Sequence, residues 1–389
     1  MKYYIIAGEA SGDLHGSNLM RGLYSKDKSA DIRFWGGDKM NSVFKENQSG
    51  EGLVQDYREG AIIGFVQVVL NAKKFADKFK KCCKDILTWQ PDVVILIDYP
   101  GFNFKVAEFA HKDKLKVFYY IAPKVWASRE GRIRKLKAYV DKLFIIFPFE
   151  IPYFTKKNVD FIYKGNPLID AVDNSPALSE ERMVFLKRNG LDDRPSVALL
   201  AGSRDGEICS MMPTFADFAD KLRNTPGYEN YQFLIAAAPS RKAEDYAKWT
   251  SGREDYLKVI INDSYAVIKQ SEAAVVNSGT ASLETALIGT PQIVAYKGAR
   301  INFLIAKQII KIRFISLGNL ILDRTCFREL LQDYFTAENV YQEVRRLIED
   351  VEYRQVMQDG YAEIRKSLGG RGASDAVAGA MIENLRKLD

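Results

Sequence analysis

Four clusters in this chain have residue types and spacing suited to chemistry on a hydroxyl-rich, phosphorylated ligand. The first is Gly8-Glu9-Ala10-Ser11-Gly12-Asp13, between the apolar run Tyr3–Ala7 and a helix-like segment from His15 to Tyr24. A parallel strand delivers its C-terminal end to a ligand at a helix start in this way, with glycines for a tight turn and close backbone approach. Two carboxylates and a hydroxyl in such a loop suit a sugar as well as a charge. The second is Asp98, at the tip of Val93–Asp98 and leading into Tyr99-Pro100-Gly101-Phe102-Asn103. A general base belongs at that position, although a cap on the following helix needs the same residue type there.

The third cluster, Gly202-Ser203-Arg204, follows the run Ser196–Ala201 and enters a helix through Gly206-Glu207-Ile208. A guanidinium beside a helix N-terminus can clamp a diphosphate, and Gly202 and Ser203 remove bulk there. A surface salt bridge is the plainer use of Arg204. The fourth is Asn277-Ser278-Gly279-Thr280-Ala281-Ser282-Leu283-Glu284. Its hydroxyls and free N–H groups suit phosphate or ribose, and Glu284 can accept two ribose hydroxyls or serve as a dipole partner. Two such loops, each after a strand, make a nucleotide-diphosphate site. Beyond Ile121, Lys124 and Trp126 offer a cation and a ring for a ligand wall, with Ser128 and Arg129 close behind. A tryptophan there also suits plain core.

These residues need strands to carry them. Strand-like runs are read at Tyr3–Ala7, Ile32–Trp35, Val93–Asp98, Val117–Ile121, Leu143–Phe147 and Phe161–Tyr163. A second set covers Val197–Ala201, Phe233–Ala238, Val259–Ile261, Ala273–Val276 and Gln292–Tyr296. Short apolar runs alternating with helices mean parallel sheets covered on both faces. Turn signals at Asn166-Pro167 and Asn174-Ser175-Pro176 break the series, and Ser179-Glu180-Glu181 reads as a helix restart. The expected fold is α/β, two doubly wound Rossmann-like domains facing a cleft. Residues 1–168 form the first domain and 169–372 the second. A final helix, 373–389, packs back on the first domain or exchanges in a dimer.

At 389 residues, with 47% apolar and 27% charged composition, two domains are the default. No apolar stretch is long enough to span a bilayer, and Tyr3–Ala7 is too short for a signal-peptide core, so cytoplasmic residence is expected. The four cysteines have neither disulfide-framework nor zinc-ligand spacing, and His15 and His111 are the only histidines. No Asp-x-Asp pair occurs, so a sugar-transfer reaction here would stabilise its leaving group without a metal, and no cofactor is expected. The net charge of +6 allows anionic partners. Two basic, apolar stretches stand out: Ile62–Lys81, carrying Phe65, Val68, Val69, Phe75 and Phe79, and Arg300–Phe314. The first reads as a membrane or acyl contact, the second is undecided, and nucleic acid is disfavoured for want of any RRM, KH or helix-turn-helix signature.

Six motifs then fall in one order and spacing: Gly8–Asp13, Ile97–Asn103, Ala122–Trp126, Phe147-Pro148-Phe149-Glu150, Gly202–Arg204 and Asn277–Glu284. Together they resemble the lipid-A-disaccharide synthase family from residue 3 to about the C-terminus. The resemblance implies a GT-B glycosyltransferase that moves 2,3-diacylglucosamine from UDP-2,3-diacylglucosamine to 2,3-diacylglucosamine 1-phosphate (lipid X). The product it implies is a β-1′,6-linked disaccharide. It implies residence on the cytoplasmic face of the inner membrane, contact with its anionic surface, and a homodimer. Carried over by position, Asp98 is the base and Arg204 neutralises UDP. Glu9, Ser11, Asp13, Lys124 and Trp126 serve the acceptor. Gly202, Ser203, Ser278, Gly279, Thr280, Ser282, Glu284 and Asn319 serve UDP, Asn319 on resemblance alone. Two positions depart from the family pattern: Asn166 replaces a His before the hinge, and Gln67 replaces a Glu. The alternatives are a GT-B enzyme with another acceptor, a UDP-sugar 2-epimerase, and a membrane-surface binding protein without turnover.

Overall fold

The computed structural model describes residues 1–59, 72–126, 130–239, 241–298 and 313–388. The chain divides into two compact units, Met1–Ala171 with Leu368–Asp389, and Val172–Ser367. Each is built on an open parallel sheet.

In the first unit the strands are β1 (Lys2–Ala7), β2 (Asp31–Gly36), β3 (Leu53–Asp56), β4 (Val93–Ile97), β5 (Lys116–Tyr120), β6 (Lys142–Ile145) and β7 (Ile162–Tyr163). Their order is β3-β2-β1-β4-β5-β6-β7, so the winding reverses between β1 and β4. Every residue of β4 is sealed from solvent, as are Tyr3, Tyr4, Ile5 and Ile6 of β1, as expected for strands covered on both faces. Tyr4 keeps its hydroxyl satisfied inside the layer, accepting from Trp35 Nε1 at 3.0 Å and donating to Asp85 at 2.8 Å.

The second unit repeats the plan with β8 (Ser196–Leu200), β9 (Gln232–Ala237), β10 (Leu257–Ile261), β11 (Ala273–Asn277), β12 (Gln292–Tyr296) and β13 (Glu329–Leu331). Its order is β10-β9-β8-β11-β12-β13, with the reversal between β8 and β11. In open α/β sheets, ligands bind beyond the carboxyl ends of the strands at such a reversal. The four loops singled out from sequence leave the ends of these four strands.

Two edge strands, β3 and β13, escape the sequence reading because they are short and only partly buried, with no apolar run to mark them. The first helix also starts earlier than expected. It spans Ala10–Lys26, so Ser11, Gly12 and Asp13 are its first turn and not a loop. Nor does Ser179 cap the restarted helix: its hydroxyl donates to Pro176 O at 3.0 Å, and the helix begins at Arg182.

The last helix, Ala373–Leu388, lies along Ala10–Lys26 within the first unit. Gly22 permits this approach, because a Cβ there would stand 2.8 Å from that of Ala378. Asp170 holds the start of the helix, its two carboxylate oxygens accepting from Gly372 N (2.6 Å) and Ser374 N (2.8 Å). Removing that buried acceptor leaves two donors unpaired, each part of a helix terminus. Asp170→Ala is therefore expected to cost about 2 kcal/mol, read as a lower urea midpoint. Limited proteolysis should also release the C-terminal helix faster than in the parent protein.

Candidate active site

At the first reversal, β1 and β4 run in register from Tyr3↔Val93 to Ala7↔Ile97. Gly8–Glu9 and Asp98–Tyr99 therefore emerge side by side. Gly8 faces the Tyr99 ring so closely that any Cβ would overlap it. The Glu9 charge is felt at Tyr99, whose pKa is raised mainly by burial. Ser11 Oγ donates to Glu9 Oε1 at 3.4 Å, keeping hydroxyl and carboxylate together. Asp98 and Tyr99 both take left-handed backbone, with φ of 42° and 46°. So does Ile121 (φ 63°) at the end of β5, where a β-branched residue is a steric outlier. Such strain costs about 1–3 kcal/mol per residue and gathers at functional loops.

Asp13 is placed differently from the sequence expectation. It is buried, and its carboxylate accepts from Gly37 N (2.7 Å), Lys39 N (3.1 Å) and Met40 N (3.1 Å). It thus anchors the start of the helix Asp38–Asn47 and does not present itself to an acceptor. Burial outweighs those donors and keeps its pKa above the usual aspartate value. His15 is buried too, and desolvation pushes it down to about 4, leaving it neutral at pH 7.

Lys124 is exposed at the end of β5, while Trp126 stands edge-on to Phe149, which stacks on Phe147. The Trp126 indole donates to Glu150 at 3.2 Å. Glu150 is almost fully buried and also accepts from Ile146 N (3.1 Å) and Phe147 N (3.0 Å). The sequence reading quoted Glu150 within a motif but gave it no task. Its packing supplies one: it ties the wall carrying Trp126 to the end of β6. Ser128 and Arg129 lie outside the described residues.

At the second reversal β8 and β11 pair through Leu200↔Val276. Gly202 has φ +99°, and a Cβ there would collide with Glu207 and stand 2.6 Å from Asn277 Nδ2. Only glycine fits where these two loops meet. Glu207 accepts from Ser203 N (3.1 Å) and Arg204 N (3.3 Å) and pairs with the Arg204 guanidinium at 3.1 Å. Arg204 is half exposed at the start of the helix Asp205–Arg223. Arg241, which the sequence reading missed, donates twice to Ser203 O (2.9 and 2.6 Å) and pairs with Asp205. A carboxylate three residues into a helix is a readable signal for Glu207. No local signal marks Arg241, which comes from the segment after β9.

In the fourth loop, Ser278 N donates to Ala295 O (2.9 Å) and its hydroxyl to Ile315 O (3.3 Å). Gly279 has no described atom within 4 Å of where a Cβ would stand, which leaves its backbone open to close approach, beside Thr280 at the helix start. Glu284 accepts from the Tyr265 hydroxyl at 2.8 Å. Two expected ligand contacts are engaged internally. The Ser282 hydroxyl is buried and donates to Gly279 O at 2.9 Å. Asn319 is fully buried, accepting from Cys326 N (2.8 Å) and donating to Phe327 O (2.9 Å) and Glu329 (3.0 Å). Through these internal hydrogen bonds both hold the loops around the site in shape.

Phe65, Val68 and Val69 lie outside the described residues, as does Arg300–Phe314 up to residue 312. Phe75 and Phe79 are described, and both turn inward from the helix Ala72–Trp89. Their rings meet Phe102 edge-on at 5.7 and 6.3 Å, and Phe79 also meets Phe109. Both rings are only partly buried. Lys73, Lys74 and Lys80 occupy the exposed side.

Burial pushes Glu150 up to about 7, against its three donors and the Lys124 charge. A folded pKa above the unfolded value means stability present at low pH and lost as pH rises through about 7. Between about pH 5 and 8 the parent protein should lose roughly 3 kcal/mol relative to Glu150→Gln, followed by urea denaturation at each pH. A pH-independent difference between the two would show that Glu150 does not titrate in this window.

Among solved structures, UDP-GlcNAc 2-epimerase from Neisseria meningitidis bound to UDP-GlcNAc aligns over 98% of this chain and 100% of its own, with TM-score 0.68 and 14% identity. A glycosyltransferase from Rickettsia africae aligns over 100% and 99%, with TM-score 0.56 and 11% identity. At such identities the likeness is one of fold, the GT-B class of two Rossmann-like domains. The lipid-A-disaccharide synthase of Trichlorobacter lovleyi is 34% identical over 97% of this chain and 96% of its own length. That of Geobacter metallireducens is 35% identical over 98% and 97%. The family model for lipid-A-disaccharide synthetase matches residues 3–378, so the chain belongs to the lipid-A-disaccharide synthetase family.

Proposed function

We propose that this enzyme transfers 2,3-diacylglucosamine from UDP-2,3-diacylglucosamine to the 6-hydroxyl of lipid X, giving the β-1′,6-linked disaccharide 1-phosphate and UDP. The observation that carries the reading is the family match along residues 3–378, which spans both sheet reversals. An α-linked donor giving a β product requires a single in-line displacement. The 6-hydroxyl oxygen forms its bond to C1 of the donor sugar as the bond from C1 to the diphosphate oxygen breaks. The hydroxyl proton passes to Asp98, and the electron pair leaves with UDP. Arg204 and the N-termini of the helices Asp205–Arg223 and Thr280–Ile288 take up the charge. Glu9, Ser11, Lys124 and Trp126 line the acceptor side, and Glu284 takes the ribose.

The finer placement of the enzyme belongs to the same proposal. It sits on the inner face of the inner membrane, drawn to anionic lipid by cations such as Lys73, Lys74 and Lys80 and held by the apolar segment with Phe65, Val68 and Val69. No described helix is long and apolar enough to cross a membrane. A homodimer would form by exchange of the Ala373–Leu388 helix.

Asp98→Asn is expected to lower kcat by about 10²–10⁴ while the donor KM moves little. Near-normal turnover in that variant would remove Asp98 from the base role. UDP release should depend on lipid X and survive excess EDTA, whereas release from the donor alone would favour the epimerase reading. Replacing Phe65, Val68 and Val69 with Ser should reduce cosedimentation with anionic vesicles. Unchanged partitioning would assign those residues to ordinary packing.

A further inference from the structure

The turn that carries Asp98 is held by more than its own strand. Asp98 N donates to Tyr120 O at 3.1 Å. Its carbonyl, instead of continuing the ladder, accepts from the Tyr119 hydroxyl at 2.6 Å and from Asn103 Nδ2 at 2.8 Å. The same amide donates to Ile97 O at 3.2 Å. Tyr99 closes the turn, its carbonyl accepting from Phe102 N (3.2 Å) and Asn103 N (3.0 Å) while its ring stacks on Phe102. Asn103 and Tyr119 are both completely buried. Neither can touch a ligand from there.

Two consecutive left-handed residues, neither of them glycine, persist only where the surroundings over-determine them. A strand can reach a helix by cheaper routes. The direction of the Asp98 side chain is what this turn fixes. Relaxing φ from 42° to the ordinary region near −60° would swing the Cα–Cβ bond by about 100° around the end of β4. We infer that Asn103 and Tyr119 are positioning residues of the transfer reaction, clamping the Asp98 carbonyl so that the carboxylate is aimed at the acceptor hydroxyl. This rests on the reading of Asp98 as the base. The Gly8 contact extends the clamp, since the Tyr99 ring packs against the backbone at Gly8, next to Glu9 and the helix start that carries Ser11.

A double-mutant cycle tests it, with kcat normalised to UDP-binding stoichiometry so that unfolded protein does not count. Asn103→Ala should lower kcat by about 10–100-fold, with KM for both substrates within about twofold of the parent. In an Asp98→Ala background the same substitution should remove less than about twofold more, because the group it acts through is gone. Tyr119→Phe, which preserves the shape of the core, should move kcat in the same direction with the same loss of effect, and it carries the test if Asn103→Ala does not fold. An undiminished effect of both substitutions in the Asp98→Ala background would make Asn103 and Tyr119 structural residues only and overturn the inference. Impaired Asp98→Ala alongside normal kcat in both single variants would overturn it too, while sparing the base reading. Parent-level turnover in Asp98→Ala would overturn the base reading itself, and the inference with it.

Discussion

The hydrogen-bond register of two strand pairs is the constraint on which everything else rests. β1 against β4 and β8 against β11 are each paired in parallel at the point where the winding of a sheet reverses. Parallel pairing makes neighbouring strands end together, so their loops must share one edge. A slip of one residue in β4 would send Asp98 to the opposite face of the sheet. The apolar side chains of β1 and β4, sealed on both faces, make such a slip costly. Core burial and active-site geometry are thus one problem.

From that register follows a division of labour among polar residues. Those with every hydrogen bond satisfied inside the fold, such as Asp13, Ser282 and Asn319, hold helix starts and loops in place. Glu150 ties Trp126 to the end of β6, and Asn103 and Tyr119 grip the turn at Asp98. A buried polar group left unpaired costs more than a paired one returns, which is why the donors and acceptors that grip these loops are matched to partners inside the fold. Arg204, Lys124 and Gly279 keep access to solvent.

Charge is arranged on the same economy. In the second unit Arg204 stands at the head of a long helix, and Glu207 and Arg241 fix the Ser203–Arg204 backbone that carries it. A departing diphosphate would meet a guanidinium already oriented, together with helix N-termini whose amides need no reorganisation.

By itself the sequence determined the layer architecture, the long central strands, and the four loops that leave the two sheet reversals. These are local properties: apolar runs alternating with helices, glycines beside carboxylates, and an Arg at a helix start. It missed β3 and β13 because short, half-buried edge strands carry little pattern. It also read Gly8–Asp13 as one loop, because glycine count alone does not distinguish a turn from a helix packed closely on its strand. Tertiary structure alone decided which polar residues face outward. Asp13 meets Gly37 across 24 positions, Arg241 meets Ser203 across 38, and Trp126 meets Glu150 across 24. Burial is a property of neighbours distant in sequence, so no local pattern can show whether a carboxylate serves a ligand or a helix.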